Sequence, residues 1–163
     1  MRTRDTEEFA EFFSARFDTY RRIAHALCGD WDEAEEITQE SFVKVYARWS
    51  KIRRDTVDAY LRTVLTRSFL DTRRRKRARE DVVAEVPDAG SRDPETAERL
   101  ALGSALLSVP PRQRAVLVLR FIVDQSVEQV AATMGCSVGT VKSQTSRGLD
   151  TLRAAYPETT RSA

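Results

Sequence analysis

The 163-residue sequence has few of the residues that most catalytic or metal-binding sites require. It contains one histidine, His25, and two cysteines, Cys28 and Cys136, which are far apart and lack neighbours that would complete a metal site. A disulfide framework is therefore not expected, and two isolated cysteines are consistent with a protein of a reducing compartment. A Gly-rich phosphate loop, a nucleophile elbow and a metal-ligand cluster are also missing. The sequence predicts a protein that is not an enzyme and uses no cofactor or metal.

Long apolar runs are missing as well. No run approaches the ~20 residues that a membrane span needs, and the polar start MRTRD lacks the apolar segment of a signal peptide. We therefore expect a cytoplasmic protein without a membrane span. Six glycines and five prolines are few, whereas 32% of the residues are charged, a combination that favours helices.

Net charge is only +2, but the two signs are segregated along the chain. Residues 30–40 contain six acids and no base, and residues 73–79 contain six bases and no acid. Such asymmetry suggests two differently charged partners, or one protein partner and a nucleic acid.

Apolar residues at three- and four-residue steps predict an all-α fold of two small helical domains. Helices are expected over 7–27, about 31–49 and about 57–77 in the first domain, and over 96–108, 112–122, 127–134 and 138–152 in the second. An acidic segment with Pro and Gly reads as a flexible linker. The predicted boundaries are 1–79 for the first domain, 80–95 for the linker, 96–157 for the second domain and 158–163 for a tail.

The strongest local pattern, over residues 126–147, is that of a helix-turn-helix. Ala131 is small where two helices approach, Gly135 suits a left-handed helix end, and Ser137 can cap the second helix. The outer face of that second helix carries polar side chains that can reach phosphates and base edges in a major groove. An ordinary helical hairpin with a solvated face is the alternative.

The two charged segments each allow two interpretations. The basic run can contact nucleic-acid phosphates, or it can be a solvated helix end where cations suit the macrodipole. The acidic segment can dock on a basic protein surface, or it can be the acid-rich first turns of a helix.

Four segments together resemble the extracytoplasmic-function (ECF) sigma factors of bacterial RNA polymerase, in the order and spacing of that family. Residues 29–46 (GDWDEAEEITQESFVKVY) resemble regions 2.1–2.2, and residues 59–75 (AYLRTVLTRSFLDTRRR) resemble regions 2.3–2.4. Residues 106–121 (LLSVPPRQRAVLVLRF) resemble the start of region 4, and residues 135–149 (GCSVGTVKSQTSRGL) its recognition helix. The stretch KSQTSR is most similar to the group common in actinobacteria.

The resemblance implies a transcription initiation factor that binds core RNA polymerase, at the clamp and flap regions of its large subunits, and directs it to promoters. An anti-sigma factor is a further possible partner. At Arg67 the chain departs from the family's usual Asn. The implied polymerase contacts are Asp32, Glu35, Glu36, Gln39 and Glu40. The implied minus-35 contacts are Arg120, Thr140, Lys142, Ser143, Ser146 and Arg147, and the implied minus-10 contacts are Lys51, Arg53, Arg54, Val64, Arg67, Arg73, Arg74 and Arg75.

Two other classes of protein remain open on the residues alone. A regulator would bind an operator with the helix-turn-helix and use its N-terminal domain to sense or dimerise. A pure interaction protein would leave the basic run unexplained. The acidic helix discriminates a sigma factor from an operator-binding repressor, because a sigma factor needs it for polymerase and the repressor does not.

Overall fold

The computed structural model describes residues 2–79 and 94–156, and all regular elements in these two ranges are helical. We call the two ranges the N-terminal half and the C-terminal half. The expected all-α class is confirmed. Residues 80–93, most of the expected linker, and the expected tail at 158–163 lie outside the described residues.

Three helices form the N-terminal half: α1 (Thr3–Cys28), α2 (Trp31–Ala47) and α3 (Val57–Ala78). The break between α1 and α2 follows from local chemistry. Gly29 has φ 78°, and its N–H donates to the carbonyl of His25 at 2.8 Å. Asp30 then caps α2 by accepting from the N–H of Asp32 at 2.9 Å. A left-handed glycine at a helix end and an aspartate cap at the next helix start are features that residue type favours.

The connection between α2 and α3 is longer than the periodicity suggested. Helix α2 ends at Ala47, and two short 3-10 turns, Trp49–Lys51 and Arg54–Thr56, precede α3. Trp49 is 1% exposed and anchors the connection in the core.

Aromatic rings dominate the core of the N-terminal half. Phe42 on α2 is 1% exposed and lies against Phe13 at 5.0 Å and Phe17 at 5.7 Å between ring centroids. Phe9 on α1 packs edge-on against Trp49 at 5.3 Å. Such tilted and edge-to-face pairs add to the burial of their apolar area.

Four helices form the C-terminal half: α4 (Pro94–Leu107), α5 (Pro111–Leu117), α6 (Val127–Met134) and α7 (Val138–Ala155). The helix expected over 112–122 is α5 followed by a π-helical segment, Val118–Ile122. Asp124 then has φ 65°, the one positive φ among the described non-glycine residues. Sequence periodicity does not distinguish a single π-helical turn from the α-helical turns before it.

The two halves pack against each other. One core cluster contains buried residues of both, including Leu65 and Phe69 of α3 and Val116, Val130 and Val141 of the C-terminal half. A smaller cluster of Leu106, Val109 and Leu117 belongs to the C-terminal half alone. Within residues 2–79 and 94–156, no helix is both long and apolar enough to cross a membrane.

Candidate nucleic-acid and docking surfaces

The helix-turn-helix is built by local hydrogen bonds at each helix end. Ser126 and Gln129 form a reciprocal capping box at the start of α6, with bonds of 2.8 and 3.1 Å. Gly135 ends α6 with φ 67°, and the Ser137 hydroxyl accepts from the N–H of Thr140 at 3.1 Å to begin α7. The predicted turn and cap are therefore confirmed.

The outward face of α7 carries four exposed polar side chains from the predicted minus-35 set, namely Lys142, Ser143, Ser146 and Arg147. Lys142 and Ser146, and likewise Ser143 and Arg147, are four residues apart and therefore neighbours on the helix surface. The exposed cations and hydroxyls form one face suited to phosphates and base edges. Thr140 is half-buried, and its hydroxyl lies 2.9 Å from that of Ser137.

Arg120 is the member of the minus-35 set that the structure places differently. Its guanidinium is half-buried and donates to the carbonyl of Gln125 at 2.7 Å. It also lies 5.6 Å from the ring centroid of Phe121. Arg120 thus closes the loop between the π-helical segment and α6, a role that sequence spacing did not indicate.

A groove of about 550 Å³ lies where the two 3-10 turns meet the start of α3. Two residues of the predicted minus-10 set, Lys51 and Arg53, line it. The other lining residues are not members of the predicted minus-10 set, and those on α3 approach the loop only when the connection folds back on α3. These other lining residues are Arg48, Ile52, Thr56, Ala59, Tyr60 and Thr63.

Arg54 was also predicted to contact minus-10 DNA, but its guanidinium holds the connection together. It donates to the carbonyls of Trp49 at 2.7 Å and Ile52 at 2.8 Å and lies 4.0 Å from the Trp49 ring centroid. It also pairs with Glu8 at 3.0 Å. This pairing holds the pKa of the Glu8 carboxyl below its ordinary value.

Val64 and Arg67 continue the stripe of α3 that starts at the groove, since positions 60, 63, 64 and 67 share one helix face. Val64 is half-buried and Arg67 is exposed. The Nη2 atom of Arg67 would lie 3.5 Å from a Cβ placed on Gly135. The stripe therefore runs from the groove to the turn of the helix-turn-helix.

Arg73 corrects the interpretation of the basic run. Its side chain is 8% exposed, and its Nη1 donates to Glu33 at 2.6 Å while its Nη2 donates to the carbonyl of Cys28 at 3.3 Å. Arg73 is therefore part of the core of the N-terminal half and is not available to DNA. Arg74, which pairs with Asp71, and Arg75 are exposed.

The acidic segment forms an exposed face on α2. All five predicted docking residues are exposed: Asp32, Glu35, Glu36, Gln39 and Glu40. Glu33 is the exception among the acids near them, because it is half-buried and pairs with Arg73 and with Lys76 at 3.3 Å. The segment is thus both an acid-rich helix start and an open acidic surface.

His25, the one histidine of the sequence, has a packing role. The rings of His25 and Trp31 are stacked, with centroids 3.8 Å apart and planes 9° from parallel. Arg21 lies 4.8 Å from the Trp31 ring centroid. These three side chains tie α1 to the first turn of α2.

Comparisons with known proteins agree on both halves of the chain. The model of Sigma-70 region 2 matches residues 12–79, and that of Sigma-70, region 4 matches residues 99–152. An RNA polymerase sigma-E factor of Streptomyces avermitilis is 36% identical over 149 residues, which cover 90% of this chain and 83% of that protein. The ECF RNA polymerase sigma factor SigE of Mycolicibacterium smegmatis is 37% identical over 145 residues, 83% of this chain and 56% of that protein.

A solved structure extends the similarity to the fold. The sigma factor RpoE of Bartonella quintana, crystallised with the anti-sigma factor NepR, superimposes with a TM-score of 0.77 at 25% identity. The superposition covers 91% of this chain and 96% of that protein, so it includes both halves. With both sigma regions matched in order on an all-helical fold, the chain belongs to the ECF sigma factors, which direct bacterial RNA polymerase to promoters.

Proposed function

We propose that this sigma factor binds core RNA polymerase through the acidic face of α2, minus-35 duplex through α7, and minus-10 DNA through the groove at the start of α3. The observation that carries the proposal is the separation of exposed charge. The acids Asp32, Glu35, Glu36 and Glu40 and the cations on α7 lie on different halves, and each set is open to solvent. One surface therefore suits a basic protein partner and the other suits nucleic acid.

The acidic face serves as the polymerase contact because it has no positive charge of its own between residues 30 and 40. Charge complementarity of this kind steers association and selects the partner. The clamp of the large polymerase subunit is its expected partner, and the flap is expected to hold the C-terminal half. Glu33 is excluded from the contact because its carboxylate is occupied by Arg73 and Lys76.

Helix α7 reads the minus-35 element from the major groove. Arg147 is suited to bidentate contact with guanine, whereas Lys142 meets phosphate as a point charge. Ser143 and Ser146 supply short hydroxyls between them. Arg120 and Thr140 stabilise α7 and the loop before α6 and are not part of the face that contacts DNA. Each side chain is hydrogen-bonded within this chain.

The groove at the start of α3 receives unpaired minus-10 DNA. Lys51 and Arg53 bring positive charge to its rim, and the half-buried Tyr60 supplies an aromatic ring on which a base can stack. Arg74 and Arg75 follow at the far end of α3, where they can meet the backbone phosphates. Capture of unpaired bases at this surface would aid promoter opening.

The proposed role needs no chemistry within the chain, because specificity comes from binding and the polymerase performs the reaction. The protein therefore acts in the cytoplasm without a cofactor and is not an enzyme. An anti-sigma factor is a proposed further partner, supported by the Bartonella structure, in which a sigma factor of the same fold is bound to one.

Run-off transcription with purified core polymerase tests the proposal. The chain alone should bind promoter duplex weakly, and added core enzyme should give specific initiation. Replacement of Glu36 and Glu40 together by Lys should weaken core binding with little change in helicity, because both side chains are exposed. A tight operator complex without core, and no initiation with it, would identify the chain as an operator-binding regulator instead.

A panel of minus-35 variants separates the two cations on α7. Arg147→Ala should cost about 1–3 kcal/mol and relax the preference at one or two base pairs. Lys142→Ala should weaken binding evenly across sequences and reduce its salt dependence. Neither change should alter core affinity. Intact promoter preference in Arg147→Ala would remove α7 from base reading.

A further inference from the structure

A second groove, of about 560 Å³, lies between α1, the start of α3 and the end of the π-helical segment, and we call it the junction groove. Three arginines and one aspartate are among the residues that line it, namely Arg16, Arg22, Arg62 and Asp58. Its apolar lining includes Ile23, Ile122 and Val123. The junction groove therefore combines a net positive charge with an apolar wall.

Partners within the chain neutralise these arginines only in part. Arg16 pairs with Asp58 at 3.3 Å, yet half of its side chain is exposed. Arg22 pairs with Asp18 at 3.0 Å and is largely exposed. The Nε atom of Arg62 is buried and has no hydrogen-bond partner among the described residues. A buried donor without an acceptor costs free energy, so an incoming carboxylate would form charge-assisted hydrogen bonds here.

Two consecutive apolar side chains at the end of the π-helical segment are open to solvent. Ile122, which lines the junction groove, is 51% exposed, and Phe121 is more exposed still. An apolar centre with a charged rim is typical of a protein docking surface. Phosphates would meet the arginines but would leave the apolar side chains without partners. The groove therefore suits a protein segment that carries acids beside an apolar side chain.

Helix α2 presents the complementary pattern. Four exposed residues follow at three- and four-residue steps and share one side of the helix: Glu36, Gln39, Glu40 and Val43. Val43 is 66% exposed, so the acidic face ends in an open apolar side chain. Lys44 lies beside this stripe, with its Nζ 3.9 Å from a Glu40 carboxylate oxygen. The face matches the junction groove in both charge and apolar character.

We propose that the junction groove binds the exposed face of α2 from a second copy of this chain. Glu36 and Glu40 of one copy meet the groove arginines of the other, and Val43 packs on Ile122. The contact is a helix laid in a groove. Because it joins two different surfaces, each copy can engage two neighbours. One helix buries less area than the ~1,600 Å² of a standard interface, so the association is weak and depends on concentration.

Self-association covers the same face of α2 that the proposed function assigns to core polymerase. One face cannot serve two partners at once, so chains held in this contact are not ready to bind core. This competition rests on the proposed function, whereas the contact between copies does not.

Sedimentation equilibrium of the full chain tests the contact. The weight-average mass of the parent should rise with concentration at low salt. A groove variant (Arg16→Glu with Arg22→Glu) and a face variant (Glu36→Lys with Glu40→Lys) should each remain monomeric, with unchanged far-ultraviolet circular dichroism. Their mixture should associate again, because both contacts are then complementary in charge. A parent that is monomeric at every concentration, or a mixture that does not associate, would overturn the proposal.

A matched control separates this contact from a general effect of net charge. Arg112→Glu with Arg153→Glu makes the same change in net charge at two exposed cations of the C-terminal half that do not line the groove. This variant should self-associate like the parent. If it remained monomeric as the groove variant does, net charge alone would explain the result and the proposal would fail.

The apolar part of the contact is tested without a change of charge. Val43→Ser and Ile122→Ser should each weaken self-association on the order of tenfold, as expected for an aliphatic side chain buried in the contact. Leu102→Ser is the control, since Leu102 is an exposed apolar residue of α4 outside both surfaces. Equal association of all three variants would show that these side chains do not pack together.

Binding to core polymerase tests the competition. An excess of the face variant should lower the binding of the parent to core, because this variant keeps the groove and covers α2 of the parent. A face variant that also carries Arg16→Glu and Arg22→Glu should have no such effect. Self-association without any loss of core binding would overturn the competition. Failure of the parent to bind core at all would instead refute the proposed function and leave the sedimentation result intact.

Discussion

The two halves reach stability by different means. The N-terminal half has long helices around buried rings such as Phe42, Trp49 and Phe69. Among the described residues of the C-terminal half, the aromatic side chains are Phe121, which is 57% exposed, and the half-buried Tyr156. Its helices α5 and α6 are short, α6 begins at a capping box, and both contact α3. A short aliphatic domain buries little area of its own, so its packing is shared with its neighbour.

The largest expected contrast lies within α2. Phe42→Ala should destabilise the chain by about 3–5 kcal/mol, because it removes a ring that five other rings surround. Val43→Ala, next to it and 66% exposed, should change stability by less than about 0.5 kcal/mol. Urea unfolding followed by tryptophan fluorescence measures both. Similar losses in the two variants would contradict the aromatic core.

The basic run offers a second matched pair. Arg73→Ala should cost about 3 kcal/mol, because it removes the buried partner of Glu33 and the donor to the carbonyl of Cys28. The cost falls at the low end of the range for a broken buried pair, since Lys76 still contacts Glu33. Arg74→Ala should leave stability nearly unchanged and weaken promoter binding. Denaturation and binding assays check both variants. If Arg73→Ala weakened promoter binding without loss of stability, Arg73 would belong to the DNA-binding surface.

The caps of the C-terminal half should have a smaller but measurable effect. Ser126→Ala removes the capping box of α6 and should cost about 1 kcal/mol. Hydrogen exchange should show the loss first in α6. Ser146→Ala, on the exposed face of α7, is the control and should unfold like the parent chain. Equal exchange in α6 in both variants would show that the core alone holds this helix.

The last comparison concerns the reactivity of the two cysteines at neutral pH. Burial raises the pKa of the Cys28 thiol to about 12, whereas Cys136 is only partly buried. Alkylation should therefore modify Cys136 first, with Cys28 at least about 100-fold slower. Mass spectrometry of the labelled peptides checks the order, and equal rates would show that the end of α1 opens readily.

Ionisation of the Cys28 thiol should lower the stability of the N-terminal half at alkaline pH. The Cys28 thiol ionises near pH 9 in the unfolded chain and near pH 12 in the folded chain. The stability that the neutral buried thiol contributes is therefore intact below about pH 9 and is lost as the pH rises to about 12. The buried Tyr20, whose pKa is raised by burial and by Asp58, acts in the same direction. Cys28→Ala should flatten the fall in stability over this range, as measured by urea unfolding.

The sequence by itself determined the features that depend on neighbouring residues. Apolar spacing predicted the helices, Gly135 and Ser137 predicted the turn, and the run of acids predicted the exposed face of α2. Each is set within one or two helical turns, where propensity, capping and periodicity act. The order of the four family-like segments was enough to indicate a sigma factor.

Only the tertiary structure decided which charged residues serve the fold. Arg73 and Arg74 are adjacent in sequence, yet one is buried on Glu33 and the other is exposed. Arg54, Arg114 and Arg120 likewise donate to carbonyls supplied by the folded chain. A guanidinium can be buried only where several acceptors converge on it, and that convergence depends on contacts between segments distant in sequence.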